Sequence, residues 1–518
     1  MQETAEFRRW WQTRWIMAGA VLASALPMLW PSLPPLVDLP GHLGSYRIIV
    51  EAGQQPLDRH YAVHWALIGN LGVELLVMLL HPLMDVESAT HLIVGLIPPL
   101  TVAAMLWLAH EAHGRIPPAA AFAFPLAYAL PFQLGFLNYV LSGTLVIAGL
   151  ALWIRLARNH ATWMRIAVFL PIAGVVWTCH SFGWVLLGFF VFGAEWAIRR
   201  GRGQRLVPAT LFAGLTCAPM LWPQVLAMIH GSHGAAVTGG WLDWIYKAQW
   251  LSSLLRERWH VYDVGCAIVL GLLLWAAVRS KQLAMIPVLG VPALIGGLAF
   301  VILPPFFMGG AFINARVLPY AVMMSLLAIH ARNDVTETRL AIGGAAFFAM
   351  RTATTIVAFG LFIAERRVEL APLPLMPRGA GVLTLVSEPW EDVWLNPRLS
   401  HVAGIAIARR RIFTNEQWAS AGQQIIEPRH PTAAPFDRDP SQLMLDAERP
   451  GGSSDLDHAI ATFDRRTFGY VWTIGFPEGR ARATDLVPIW QSDRSALYRV
   501  VDRSVPRPAV PVTRRSYR

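Results

Sequence analysis

Residues 90–109 read THLIVGLIPPLTVAAMLWLA, a run without one Asp, Glu, Lys or Arg. At about 1.5 Å of rise per helical residue such a run covers about 30 Å, the thickness of a bilayer's hydrocarbon core. Further apolar windows of similar length are placed at 15–32, 118–133, 138–156, 164–180, 183–198, 207–226, 263–278, 284–303, 316–330 and 340–363. The whole chain agrees: of 518 residues, 55% are hydrophobic and only 15% charged, against about 25% charged in an ordinary soluble domain. So few polar groups cannot cover an aqueous surface, and lipid is the missing solvent. The fold expected is a polytopic all-α transmembrane domain of about 11 spans, followed by a C-terminal α/β domain.

The formal charge of +10 invites a nucleic-acid reading, which the placement of the basic residues excludes, because they cluster at the ends of apolar runs. One side holds Arg115; Arg155, Arg158 and Arg165; Arg199, Arg200, Arg202 and Arg205; Arg279 and Lys281; Arg332 and Arg339. The other holds Arg47 and Arg59; Lys247, Arg256 and Arg258; and Arg316. The richer side is cytoplasmic by the positive-inside rule, with the N-terminus there as an uncleaved first helix. Residues 33–89 and 227–262 then form long outer loops, and 365–518 an extracytoplasmic domain. This count leaves 65–83 as a re-entrant or membrane-surface helix, since Gly69, Asn70, Gly72 and Glu74 interrupt it. Arg351 falls mid-span, a costly place unless it faces protein or snorkels. Cys179, Cys217 and Cys266 have no metal-ligand or CxxC spacing and read as small apolar packers.

Beyond residue 364 the Pro, Asp and Arg content rises. Strand-like runs are expected at 381–386, 402–408, 468–474 and 495–501, helices at 415–424 and 454–463, and a loop over 427–440. Residues 231–234 read as a polar loop and 506–518 as a disordered basic end.

Six residues could carry chemistry. Val37-Asp38-Leu39-Pro40-Gly41-His42 sets a carboxylate just outside the first span, and in a helical turn Asp38 and His42 share one face. Asp38 is either a general base at a dry boundary or merely the cap of the helix that Pro40 starts. Asn138, in a tight turn between spans, can bond a sugar or simply satisfy backbone groups. His180, in Thr178-Cys179-His180-Ser181, either meets a phosphate or is structural. Trp241, Trp244, Ile245, Leu251, Leu255 and Trp259 recur at helical spacing, as in a membrane-surface helix. On it Lys247 either pairs with Asp243 or points at a lipid phosphate. Arg316 follows a Pro- and Gly-rich lip and either clamps an anion or snorkels.

Together these parts resemble the GT-C-type integral membrane glycosyltransferases, which take sugars from polyprenyl-phosphate donors. The resemblance rests on the layout, on Val37-Asp38-Leu39-Pro40-Gly41-His42 as the first-loop acid motif, and on two strings near the C-terminus. Those strings are Phe468-Gly469-Tyr470-Val471-Trp472 and Ala496-Leu497-Tyr498-Arg499-Val500. It implies a GT-C-like transmembrane domain over 1–364 with Asp38 as catalytic base. His42, Asn138, His180, Lys247 and Arg316 would bind substrate, and the acceptor would be an envelope glycan, lipid or protein. Many members have two adjacent acids in the first loop or a further acid in the second. Here Asp38 stands alone and the second loop offers Asn138, so a divalent metal lacks a paired-acid motif and no cofactor is assigned. Two other functions compete: a flippase of lipid-linked saccharides and a non-catalytic envelope assembly subunit. The first needs ionisable residues deep in spans, where only Arg351 qualifies, and lacks inverted repeats.

Overall fold

A computed structural model describes residues 9–230, 238–307, 310–388, 394–420, 422–439, 441–445 and 455–504. The expected polar loop at 231–234 and basic end at 506–518 lie outside the described residues. The chain is a multi-pass membrane protein. Among the described residues seven helices are long and apolar enough to cross a bilayer, from Val86–His113 to Asp334–Leu375, and Arg14–Met28, Pro287–Ile302 and Ile313–Ala328 are shorter apolar helices. The chain folds as two compact units, each assembled from separate stretches of sequence.

The first unit comprises Met1–Ser32, Leu67–Leu76 and His91–Phe359. Its helices approach closely through small residues, as expected where lipid offers no hydrophobic drive between them. A Cβ on Gly193 would lie 2.9 Å from the Pro292 nitrogen, and one on Gly296 would lie 3.0 Å from Ala321 Cβ. The window at 118–133 is not one continuous helix. It breaks into 3₁₀ turns at Pro118–Phe122 and Phe124–Tyr128 and a short helix at Leu130–Gln133, because Pro118, Pro125 and Pro131 each remove a backbone donor. Deeply buried arginines here are paired. Arg351, 3% exposed, faces protein, with Nη1 2.8 Å from Asp263 Oδ1 and Nη2 3.6 Å from Glu257 Oε2. Arg165 meets Glu195 at 2.6 Å, and the Trp153 indole donates to the same carboxylate.

The second unit comprises Leu33–Ala66, Val77–Thr90 and Gly360–Arg518. Its five-stranded sheet runs in the order Leu443–Leu445, Val382–Glu388, Tyr470–Ile474, Ser495–Val500, Leu486–Gln491. The first three strands are parallel and the last two join antiparallel, with Val382 opposite Tyr470 and Tyr470 opposite Arg499. The last strand tolerates Pro488 because it is an edge, and its register shifts between Pro488 and Trp490. Tyr61–Val63 pairs antiparallel with Ile426–Pro428, whose last two residues fall in the stretch read as a loop.

Two expectations fail here. The 402–408 run is a helix, Ala403–Arg410. It is apolar at every position, a pattern that cannot separate a buried strand from a buried helix. The 415–424 segment is not helical but irregular. Asn415 instead copies a strand partner, its Oδ1 accepting from Thr384 N at 2.9 Å and its Nδ2 donating to Thr384 O at 3.0 Å. Such side-chain bonds compete with helix formation.

Candidate active site

In the second unit the Leu39–Val50 helix packs against Ala403–Arg410 through glycines. A Cβ on Gly404 would lie 2.0 Å from Pro40 O and 2.8 Å from Gly41 Cα, and one on Gly41 would lie 2.4 Å from Glu416 Oε1. Asp38 occupies the N-cap position of that first helix, yet its side chain makes no capping hydrogen bond. Its Oδ1 lies 3.6 Å from His401 Nε2. The other edge of the ring faces two more acids, with Nδ1 3.5 Å from Glu416 Oε1 and 3.7 Å from Asp439 Oδ1. Gln442 Nε2 sits 3.1 Å from His401 Nδ1 and donates to Asp439 at 2.9 Å. Trp418 covers the ring, with centroids 4.6 Å apart, and also lies 5.1 Å from the His42 ring.

The electrostatics follow from burial and charge. Burial works to lower the pKa of His401, but Glu416, Asp439 and Asp38 outweigh it and hold the imidazole up at about 9. Burial pushes the Asp439 carboxyl up to about 7 despite the neighbouring His401 charge. His42 is buried beside that charge and falls to about 3, so it stays neutral. At neutral pH an imidazolium therefore stands between Asp38 and Glu416. The acids face opposite edges of one ring rather than a common point. Among the described residues no three His, Cys, Asp or Glu side chains are disposed to hold a metal.

The other expected residues lie in the first unit. Arg316 and His180 come together, Nη1 to Nε2 at 3.2 Å, and the guanidinium lies 4.2 Å over Phe136. His180 Nδ1 accepts from Phe182 N at 3.1 Å, and Arg316 Nε donates to the Ala311 carbonyl at 3.2 Å. The guanidinium is a fixed positive charge held beside the ring, chemistry suited to an anion. Lys247 behaves otherwise, its Nζ donating to the carbonyls of Phe300 and Leu303 at 2.9 Å each, while Asp243 caps its helix by accepting from Tyr246 N. Asn138 Nδ2 donates to Glu74 Oε2 at 2.8 Å, and its Oδ1 accepts from Val73 N. The exposed Trp241, Trp244, Ile245 and Leu251 suit a lipid-facing surface.

Sequence reasoning missed His401, Glu416, Asp439 and Gln442. Glu416 was hidden in a segment read as a helix and Asp439 in one read as a loop, and no spacing links either to Asp38.

No family model matches the sequence, and no curated protein does. Among solved structures, the apo form of ArnT from Cupriavidus metallidurans is similar with a TM-score of 0.51 at 13% identity, covering 95% of this chain and 99% of that one. ArnT from the same organism bound to undecaprenyl phosphate gives a TM-score of 0.48 at 11% identity, with the same coverage. The likeness to the apo form establishes a shared fold: this chain has the GT-C-type architecture.

Proposed function

We propose that this protein is a membrane glycosyltransferase that moves a sugar from a polyprenyl-phosphate donor to an envelope glycan, lipid or protein on the extracytoplasmic face. The observation that carries the reading is the fold shared with ArnT, a GT-C glycosyltransferase, over 95% of the chain. The residues add a chemistry that fits. An acceptor hydroxyl attacks the anomeric carbon, the bond from that carbon to the phosphate oxygen breaks, and the electron pair leaves with the polyprenyl phosphate. Asp38 takes the hydroxyl proton, a role worth about 10²–10⁴ in rate. The leaving phosphate gathers negative charge and needs a cation or donor, for which Arg316 and His180 of the first unit are the candidates. Lys247 and Asn138, expected from the sequence to contact substrate, are engaged by protein partners and are given no substrate role in this reading. In this reading the sheet domain and Asp38 face away from the cytoplasm.

The test is to supply the full chain, reconstituted in membranes, with a panel of undecaprenyl-phosphate-linked monosaccharides labelled in the sugar. Transfer of label to envelope material with release of undecaprenyl phosphate is the expected result. Intact donor across the panel, from a correctly inserted protein, would refute it.

A further inference from the structure

We propose that His401 is a positioning residue for Asp38, seated between that carboxylate and the Glu416–Asp439 pair so that the C-terminal sheet domain sets the orientation of the base. The inference deepens the reading of Asp38 as the base and rests on it.

The geometry gives the ring one orientation. Nε2 faces Asp38, Nδ1 faces Glu416 and Asp439, and Trp418 covers a face. The side chain is 9% exposed, so turning the ring over would meet packed neighbours rather than water. Glu416 Oε1 is buried without a hydrogen-bond partner, and the nearby imidazolium is the charge that offsets its desolvation. Asp38 also forgoes the capping bond open to an N-cap aspartate. Its carboxylate is ion-paired with His401 at 3.6 Å. The ionisable groups facing the ring are Asp38 and His42 from the first-loop helix, Glu416 from the 414–418 segment and Asp439 from the 437–442 segment. As pH rises, Asp439 loses its proton first, near 7, and His401 follows near 9, ending the attraction to Asp38.

A double-mutant cycle on the full chain in detergent tests this without any substrate. Thermal unfolding is compared for wild type, Asp38→Asn, His401→Gln and the double variant at pH 7 and pH 10. At pH 7 the double variant should lose less than the sum of the single losses, and at pH 10 the losses should add. Additive losses at pH 7 overturn the proposal. With any donor that the wild type turns over, His401→Gln should lower kcat about 10- to 100-fold with KM unchanged, the size expected when a reacting group is misplaced by about 1 Å. An unchanged kcat also overturns it. Should His401→Gln fail to fold, Asp439→Asn serves. With one carboxylate fewer, the alkaline limb of the pH–rate profile should move to lower pH, and a limb that stays in place counts against the proposal. A wild type that turns over no donor sinks the glycosyltransferase reading and with it the base role. The cycle would still report whether the two side chains are coupled.

Discussion

Placing one methyl group on Gly404 should damage stability and chemistry together. The added Cβ would stand 2.0 Å from Pro40 O and 2.5 Å from Pro40 C, where ordinary contact begins at 3.4 Å. The two helices must therefore part by about 1.4 Å, and the obstacle is backbone, which cannot turn aside as a side chain can. Overpacking of this kind costs about 1–3 kcal/mol, and a backbone clash belongs at the upper end. For a unit of this size about 3 kcal/mol corresponds to a fall of roughly 6–12 °C in Tm. Asp38 lies two residues before Pro40, so the same displacement draws it from His401, and with Asp38 in its proposed role as base a shift of about 1 Å costs about 10² in rate. The assay is thermal unfolding of full-length Gly404→Ala in detergent, beside Gly188→Ala, whose Cβ would meet nothing within 4 Å. The control should stay within about 1 kcal/mol of wild type. A Tm for Gly404→Ala within about 1 °C of wild type would refute the close packing that sets Asp38.

Other outcomes follow from single interactions. Arg351→Met leaves Asp263 and Glu257 buried without their cation and should cost about 3–5 kcal/mol in thermal or denaturant unfolding; a loss under 1 kcal/mol would contradict that pairing. Burial, opposed by the Gly379 carbonyl, lowers His60 from 6.5 to about 4. The folded state thus binds fewer protons than the unfolded one, and stability is lost as pH falls from 6.5 through 4. His60→Asn should therefore flatten the acid limb of a Tm–pH curve between pH 6.5 and 4, and an unchanged slope would remove His60 from the account. Arg316→Met should weaken retention of undecaprenyl phosphate at least tenfold, whereas Lys247→Met should lower Tm and leave retention intact, because its ammonium is already bound to Phe300 and Leu303 carbonyls. Equal losses of retention in both variants would show that Lys247 also meets phosphate.

The membrane fold was legible because it depends on a one-dimensional property. A run such as 90–109 announces its environment whatever its neighbours are. Strands were legible near 381–386, 468–474 and 495–501 as short runs of β-branched, aliphatic and aromatic residues, and they form at 382–388, 470–474 and 495–500. The 402–408 helix was not, since a segment buried on all sides has no periodicity to read. Likewise 118–133 satisfied hydropathy while its prolines determined the backbone. In the candidate site the local part could be read: Asp38, Pro40 and His42 lie within one turn. Its long-range part could not, because His401 meets Asp38, and Glu416 and Asp439 meet His401, only through tertiary packing, permitted by Gly41 and Gly404. Lys247 and Arg316 looked alike as lone interfacial cations, and only the carbonyls around one and the imidazole beside the other distinguish them.

The most direct measurement is sugar transfer by Asp38→Asn under conditions where undecaprenyl phosphate retention is measured on the same sample. The account predicts retention equal to wild type, with transfer reduced by about 10²–10⁴. Transfer at the wild-type rate from a correctly inserted Asp38→Asn protein would contradict it.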